Sequence, residues 1–180
     1  ARASRQLADP AFCRRLKQSG CLMLKLGLES GDQGVLDAMD KGIDLALVSQ
    51  VLASLKQAGI ATYVYLLFGT PAESIDEARK TLSFIADHYE AVTFLNLAIF
   101  NMPVCSPEAD HLVLHDFYEG DLSLYSSFIH PRGWNRKKIR QFLDREFKRH
   151  PLITPIIQRD PPIFTSNHAS FFATQFTCPI

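Results

Sequence analysis

The apolar run CLMLKLGL ends in Glu29 and Ser30, a carboxylate beside a hydroxyl. A second apolar run, IATYVYLLF, ends in Phe68 and is broken by Gly69, Thr70 and Pro71. A third, AVTFLNLAIF, carries Asn96 and stops at Asn101. Ligands of parallel α/β folds bind at the carboxyl ends of strands, so three such ends bearing polar groups or glycine define a candidate site. Each residue also has a structural reading. Glu29 could complement the dipole of the next helix, Gly69 could serve a tight turn, and the asparagines could hydrogen-bond within a loop.

These side chains need elements to place them. Residues 9 to 20 read as a helix, with Asp9 as N-cap, Pro10 in the first turn and Gly20 as terminator. Residues 21 to 29, 60 to 68 and 91 to 100 read as buried strands. Two helical stretches fill the first interval. One ends near Gly42; the other starts at Asp44, turns Val48, Val51, Leu52 and Leu55 inward, and stops at Gly59. In the second interval SIDE, residues 74 to 77, spells a capping box, and Ile75, Ala78, Leu82 and Ile85 follow at helical spacing to about His88. Strand and helix alternate, which predicts parallel pairing and an α/β architecture. Three strands cannot close a barrel and leave two sheet edges, so this part reads as incomplete.

Beyond residue 104 the alternation stops, which divides the chain into 1–104 and an extension, 105–180. Residues 136 to 149 predict an amphipathic helix with Ile139, Phe142, Leu143 and Phe147 inward. The residues from Pro151 onward read as an irregular tail. The aromatic stretches at 116–134 and 167–176 suit either a substrate-pocket lining or a hydrophobic lid.

Composition excludes several classes. Nineteen basic residues balance nineteen acidic ones, so bulk charge favours neither nucleic acid nor an anionic membrane. Seven cations against two acids between 136 and 149 could contact RNA, but the neutral total favours a solvated helix face. No run is long and apolar enough to span a bilayer, and no export signal opens the chain. Cys13, Cys21, Cys105 and Cys178 are far apart, which suits free thiols in a reducing cytoplasm. Neither the cysteines nor His111, His115, His130 and His168 have metal-ligand spacing, so no metal is assigned to this chain.

The stretches GCLMLKLGLESGDQGVLDAMDKGI and LKQAGIATYVYLLFGTPAESIDEARKTLSFI, within a match from about Arg5 to Asn101, resemble the later part of the radical SAM superfamily barrel. The likeness is to members that often carry an upstream cobalamin-binding domain. It rests on the order G-x-E-S-G, M-x-K-G, A-G-I and G-x-P-x-E. The resemblance implies an incomplete (βα) TIM-like barrel that binds S-adenosylmethionine. By that likeness Glu29, with Ser30 beside it, would reach the ribose hydroxyls, since one carboxylate can bind a vicinal diol. Lys41 would approach the methionine carboxylate as a point charge. Phe68, Gly69 and Thr70 would give backbone contacts to adenine, and Asn96 a further one. Tyr65 stands where some relatives have an acid, and Ala72 replaces a common glycine.

The family's C-x-x-x-C-x-x-C motif is absent from these residues. The expectation is therefore a C-terminal piece of a radical SAM enzyme. Its 4Fe–4S ligands, and any cobalamin domain, would lie upstream. Alone, the piece is expected to be inactive and to pack against a neighbour, most simply a second copy. The alternative is a structural or interaction module that kept the half-barrel without the cluster. Substrate, reaction type and catalytic residues stay open.

Overall fold

The computed structural model describes residues 1–104, 106–115 and 123–159. The aromatic stretch at 167–176, residues 116–122, Cys105, Cys178 and His168 fall outside them.

Helix α1 (Pro10–Gln18) is capped by Asp9, whose side chain accepts from the Ala11 amide at 2.8 Å. It leads into strand β1 (Met23–Glu29). Helices α2 (Gln33–Ala38) and α3 (Leu45–Gln57) follow, capped by Asp32 and Asp44. Strand β2 (Ala61–Phe68), helix α4 (Ile75–Asp87) and strand β3 (Phe94–Ile99) complete the alternation. The capping box at Ser74 and Glu77 is formed. The strands pair in parallel in the order β1-β2-β3, and the sheet does not close into a barrel.

One sheet face carries Leu26, Leu28, Val64, Leu66, Phe68 and Leu95 into a core shared with α1, α3 and α4. The other carries a smaller cluster of Ala61, Tyr63 and Phe94, with Met23 and Tyr65 against it. Strand alternation alone separates the two sets.

The extension joins the larger core. Helix α5 (Arg136–Phe142) continues as a π-helical turn, Leu143–Phe147. Ile139, Phe142, Leu143 and Phe147 are all buried, as the periodicity requires. Phe142 and Phe147 pack on Phe68, with ring centroids 6.1 and 5.4 Å away. Above that stripe, Lys148 pairs with Asp144 at 2.7 Å and Lys138 donates to the Gly133 carbonyl at 2.9 Å. Residues after Pro151 are not wholly irregular. Helix α6 (Thr154–Arg159) forms there, because the Thr154 hydroxyl ties back to the Lys148 and His150 carbonyls and Ile153 and Ile156 are buried. A short antiparallel pair, β4 (Met102–Pro103) with β5 (Tyr125–Ser126), stands apart from the parallel sheet.

Candidate functional site

Strand β1 finishes in an unusual conformation. Glu29 has φ of 68°, and the Ser30 amide donates to the Leu28 carbonyl at 2.9 Å. An i→i+2 hydrogen bond around a positive-φ centre marks a rare, strained γ-turn. Pairing with β2 is irregular there: Gly27 faces Tyr65, Glu29 faces Leu66, and Leu28 is passed over. A non-glycine residue in this region costs about 1–2 kcal/mol and persists only where its surroundings force it.

The force comes from α4. Ser30 is fully buried, its hydroxyl 3.2 Å from the Thr81 hydroxyl and accepting from the Asp32 amide at 3.1 Å. The Gly31 amide donates to Thr81 Oγ1 at 2.9 Å. A Cβ on Gly31 would stand 2.7 Å from both Phe84 Cβ and Thr81 Cα, so only glycine lets the turn seat on the helix. Lys80 pairs with Asp32 at 2.8 Å and closes the same corner.

So anchored, Glu29 folds its carboxylate back over Gly27, with Oε1 3.0 Å from where a Cβ there would stand. Gly27, Tyr65 and Asn96 share one rung and one face, since residues in register across parallel strands point the same way. The Glu29 carboxylate thus lies on the face of Tyr65 and Asn96, away from the helix-covered core. Adjacent strands are about 4.8 Å apart, so Tyr65 is its neighbour and Asn96 the next group beyond. All three are partly exposed, and among the described residues none hydrogen-bonds to their side chains.

The β2 end is built differently. Phe68 is fully buried and belongs to the core. Gly69, at φ of 85°, donates its amide to Glu73 Oε2, and Ile139 Cδ1 occupies the space a Cβ would need. Thr70 is 1% exposed. Its carbonyl is taken at 2.9 Å by both His130 Nε2 and the Glu73 amide, but its hydroxyl has no hydrogen-bond partner among the described residues. Thr70 borders a cleft of about 590 Å³, lined also by Met39, Lys41, Leu67, Pro71 and Phe100. A buried hydroxyl without a partner costs free energy. Leu67 lies on the face of Tyr65, two residues along β2, so the cleft adjoins the Glu29 rung.

Of the residues expected at the site, the structure gathers Glu29 and Asn96 around Tyr65, and Lys41 and Thr70 around the cleft. Ser30 is turned into α4, Phe68 into the core and Gly69 against Ile139. Asn101 accepts from Arg136 in a separate exposed contact.

Glu73 escaped the sequence reading. It is fully buried; Oε2 accepts from the Gly69 amide and from Trp134 Nε1 at 3.0 Å, while Oε1 has no partner among the described residues. Burial pushes its carboxyl up to about 7, helped by the nearby Glu77 and Asp32 and opposed by those two hydrogen bonds. Glu77 behaves oppositely. Burial would raise it, but the Ser74 hydroxyl and amide and the Arg132 guanidinium hold it at about 2. Arg132 also donates to the Ala72 carbonyl at 2.6 Å. The spacing G-T-P-A-E could have revealed the Glu73–Gly69 contact. Nothing local could have revealed Trp134.

The described cysteines are not arranged for a cluster. The Cys13 thiol is buried and donates to the Leu7 carbonyl at 3.2 Å, and burial raises both Cys13 and Cys21. Among the described residues, no group of three or more His, Cys, Asp or Glu could hold a metal ion.

The fold and this corner define an α/β protein with an unclosed parallel sheet and free polar groups at its strand ends. No family model matches the chain, and no curated protein matches it.

Proposed function

We propose that this chain is the later part of a radical SAM-type barrel and that its strand ends bind S-adenosylmethionine. The carrying observation is Glu29, a carboxylate without a hydrogen-bond partner among the described residues, held in a strained turn beside Tyr65 and Asn96. Such a carboxylate accepts from two vicinal hydroxyls, and the ribose offers them. Lys41, in the adjoining cleft, supplies a cation for the rest of the molecule. Bound, S-adenosylmethionine supplies a sulfonium centre; what the described residues do is position the nucleoside. Tyr65 and Asn96 flank it, and α4 keeps Glu29 aimed through Ser30 and Gly31.

The described residues do not fit a 4Fe–4S cluster: no three of their His, Cys, Asp or Glu side chains are grouped to hold a metal. In this reading the remaining strands of the barrel, and the cluster thiolates, belong to sequence outside this chain. The structural-module alternative predicts no nucleoside binding at all. Titrating adenosine against 2′,3′-dideoxyadenosine separates the two. The proposal requires adenosine to bind measurably tighter, by an amount lost in Glu29→Ala. Equal affinity of the two nucleosides, or no binding of either, would count against it.

A further inference from the structure

We propose that Glu73 is a pH-operated latch: protonated, it locks the strand-end loop to the segment at residues 130–134, and ionised, it releases that segment. The latch holds whatever the cleft binds.

Three bonds join loop and segment: His130 Nε2 to the Thr70 carbonyl at 2.9 Å, Arg132 to the Ala72 carbonyl at 2.6 Å, and Trp134 Nε1 to Glu73 Oε2 at 3.0 Å. Only the last ends on a titratable acceptor. Among the described residues, Oε2 receives two N–H donors and Oε1 none, with the whole residue out of solvent. A proton on Oε1 leaves Oε2 free to accept both bonds. Loss of that proton leaves a buried anion with one bare oxygen, and water must enter to solvate it.

Among the described residues, the charges that bear on that anion are those of Glu77 and Asp32, both negative. On α4, Glu77 is itself anionic and already holds Arg132 at 2.8 Å. Asp32, before α2, adds a second negative charge, paired with the exposed Lys80 at 2.8 Å. From the segment, His130 uses both ring nitrogens, Nε2–H toward Thr70 and Nδ1 accepting from the Arg132 amide at 3.2 Å. Burial, with Arg132 beside it, keeps that imidazole below its ordinary value and so neutral when Glu73 ionises. The carboxyl itself is pushed up to about 7, inside the physiological range. Water drawn to Oε1 enters at a carboxyl whose other oxygen holds Gly69 and Trp134, and the loop that borders the cleft loosens with it.

The chain has a single tryptophan, so one indole N–H resonance reports on the latch directly. In the full chain, the Glu73 carboxyl carbon and the Trp134 indole proton are followed by NMR from about pH 5 to about pH 9. The latch requires both to titrate together with a midpoint near 7, and indole exchange with solvent to accelerate above it. In Glu73→Gln the indole resonance stays fixed across that range, while His130→Gln leaves the titration in place. A Glu73 carboxyl that ionises with ordinary carboxylates, or an indole indifferent to it, overturns the latch. That readout needs no variant, so a poorly folding Glu73→Gln does not blunt the test.

Discussion

The Glu29 carboxylate lies over Gly27, its Oε1 3.0 Å from where a Cβ on residue 27 would stand. The glycine therefore makes room for a carboxylate that a strained turn has brought back across its own strand. Gly27→Ala crowds the flexible end of Glu29 and leaves the backbone alone. We expect S-adenosylmethionine affinity to fall several-fold, an effect of about 1 kcal/mol, with stability changed by less than that. A titration and a urea melt on the same preparation check this. An unchanged affinity would mean the carboxylate's position is immaterial.

Glu29→Gly separates strain from fold. Glycine relieves about 1–2 kcal/mol of left-handed strain but adds about 0.5–1 kcal/mol of unfolded-chain entropy. The variant should match the parent's stability or exceed it slightly, while losing nucleoside binding. A clear destabilisation in the urea melt would show Glu29 to be holding the structure instead.

Gly31→Ala should be the costly glycine change. Its Cβ would meet Phe84 Cβ and the Thr81 backbone at 2.7 Å, neither of which can swing aside. Overpacking of this kind costs about 1–3 kcal/mol. Denaturant unfolding should place it well below Gly27→Ala in stability.

Much of the scaffold was legible in the residues. Asp9, Asp44 and the Ser74–Glu77 box are local signals, each a side chain capping a backbone within three positions, and each cap forms. The three strands announced themselves by runs of β-branched and apolar residues, because a parallel strand is buried on both faces. Alternation sends residue 29 the way of residue 27, and the Glu29 carboxylate does lie on that face; the turn that puts it there, with its positive φ and the passed-over Leu28, was not legible. Glu73 was hidden for another reason. Its partner Trp134 is 61 residues away, and contacts of that range leave no period in the chain. Helix α6 was missed because Pro151 and Pro155 read as breakers, whereas Pro155 sits in its first turn, where the absent N–H is not needed.

Stability should fall as pH rises through 7. Glu73 has a folded value near 7, above its ordinary 4.5, so the native state holds a proton that the unfolded chain has already released. By linkage its contribution is full below 4.5 and lost through 7, on the order of 3 kcal/mol. Glu77 runs the other way: held near 2, its contribution is present above 4.5 and lost as pH falls toward 2. Thermal melts from acid to mildly alkaline pH should show the alkaline decline in the parent and its near disappearance in Glu73→Gln.

The central claim is that the carboxylate at the end of β1 is there for a ligand. Calorimetric titration of S-adenosylmethionine into the parent and Glu29→Ala, beside denaturant melts of both, tests it most directly. Charge-assisted hydrogen bonds are each worth about 1.5–3 kcal/mol, so the account predicts a loss of about tenfold or more in affinity with little change in the melt. An unaltered affinity in a destabilised Glu29→Ala would contradict it, and would return Glu29 to a purely structural role at the strand end.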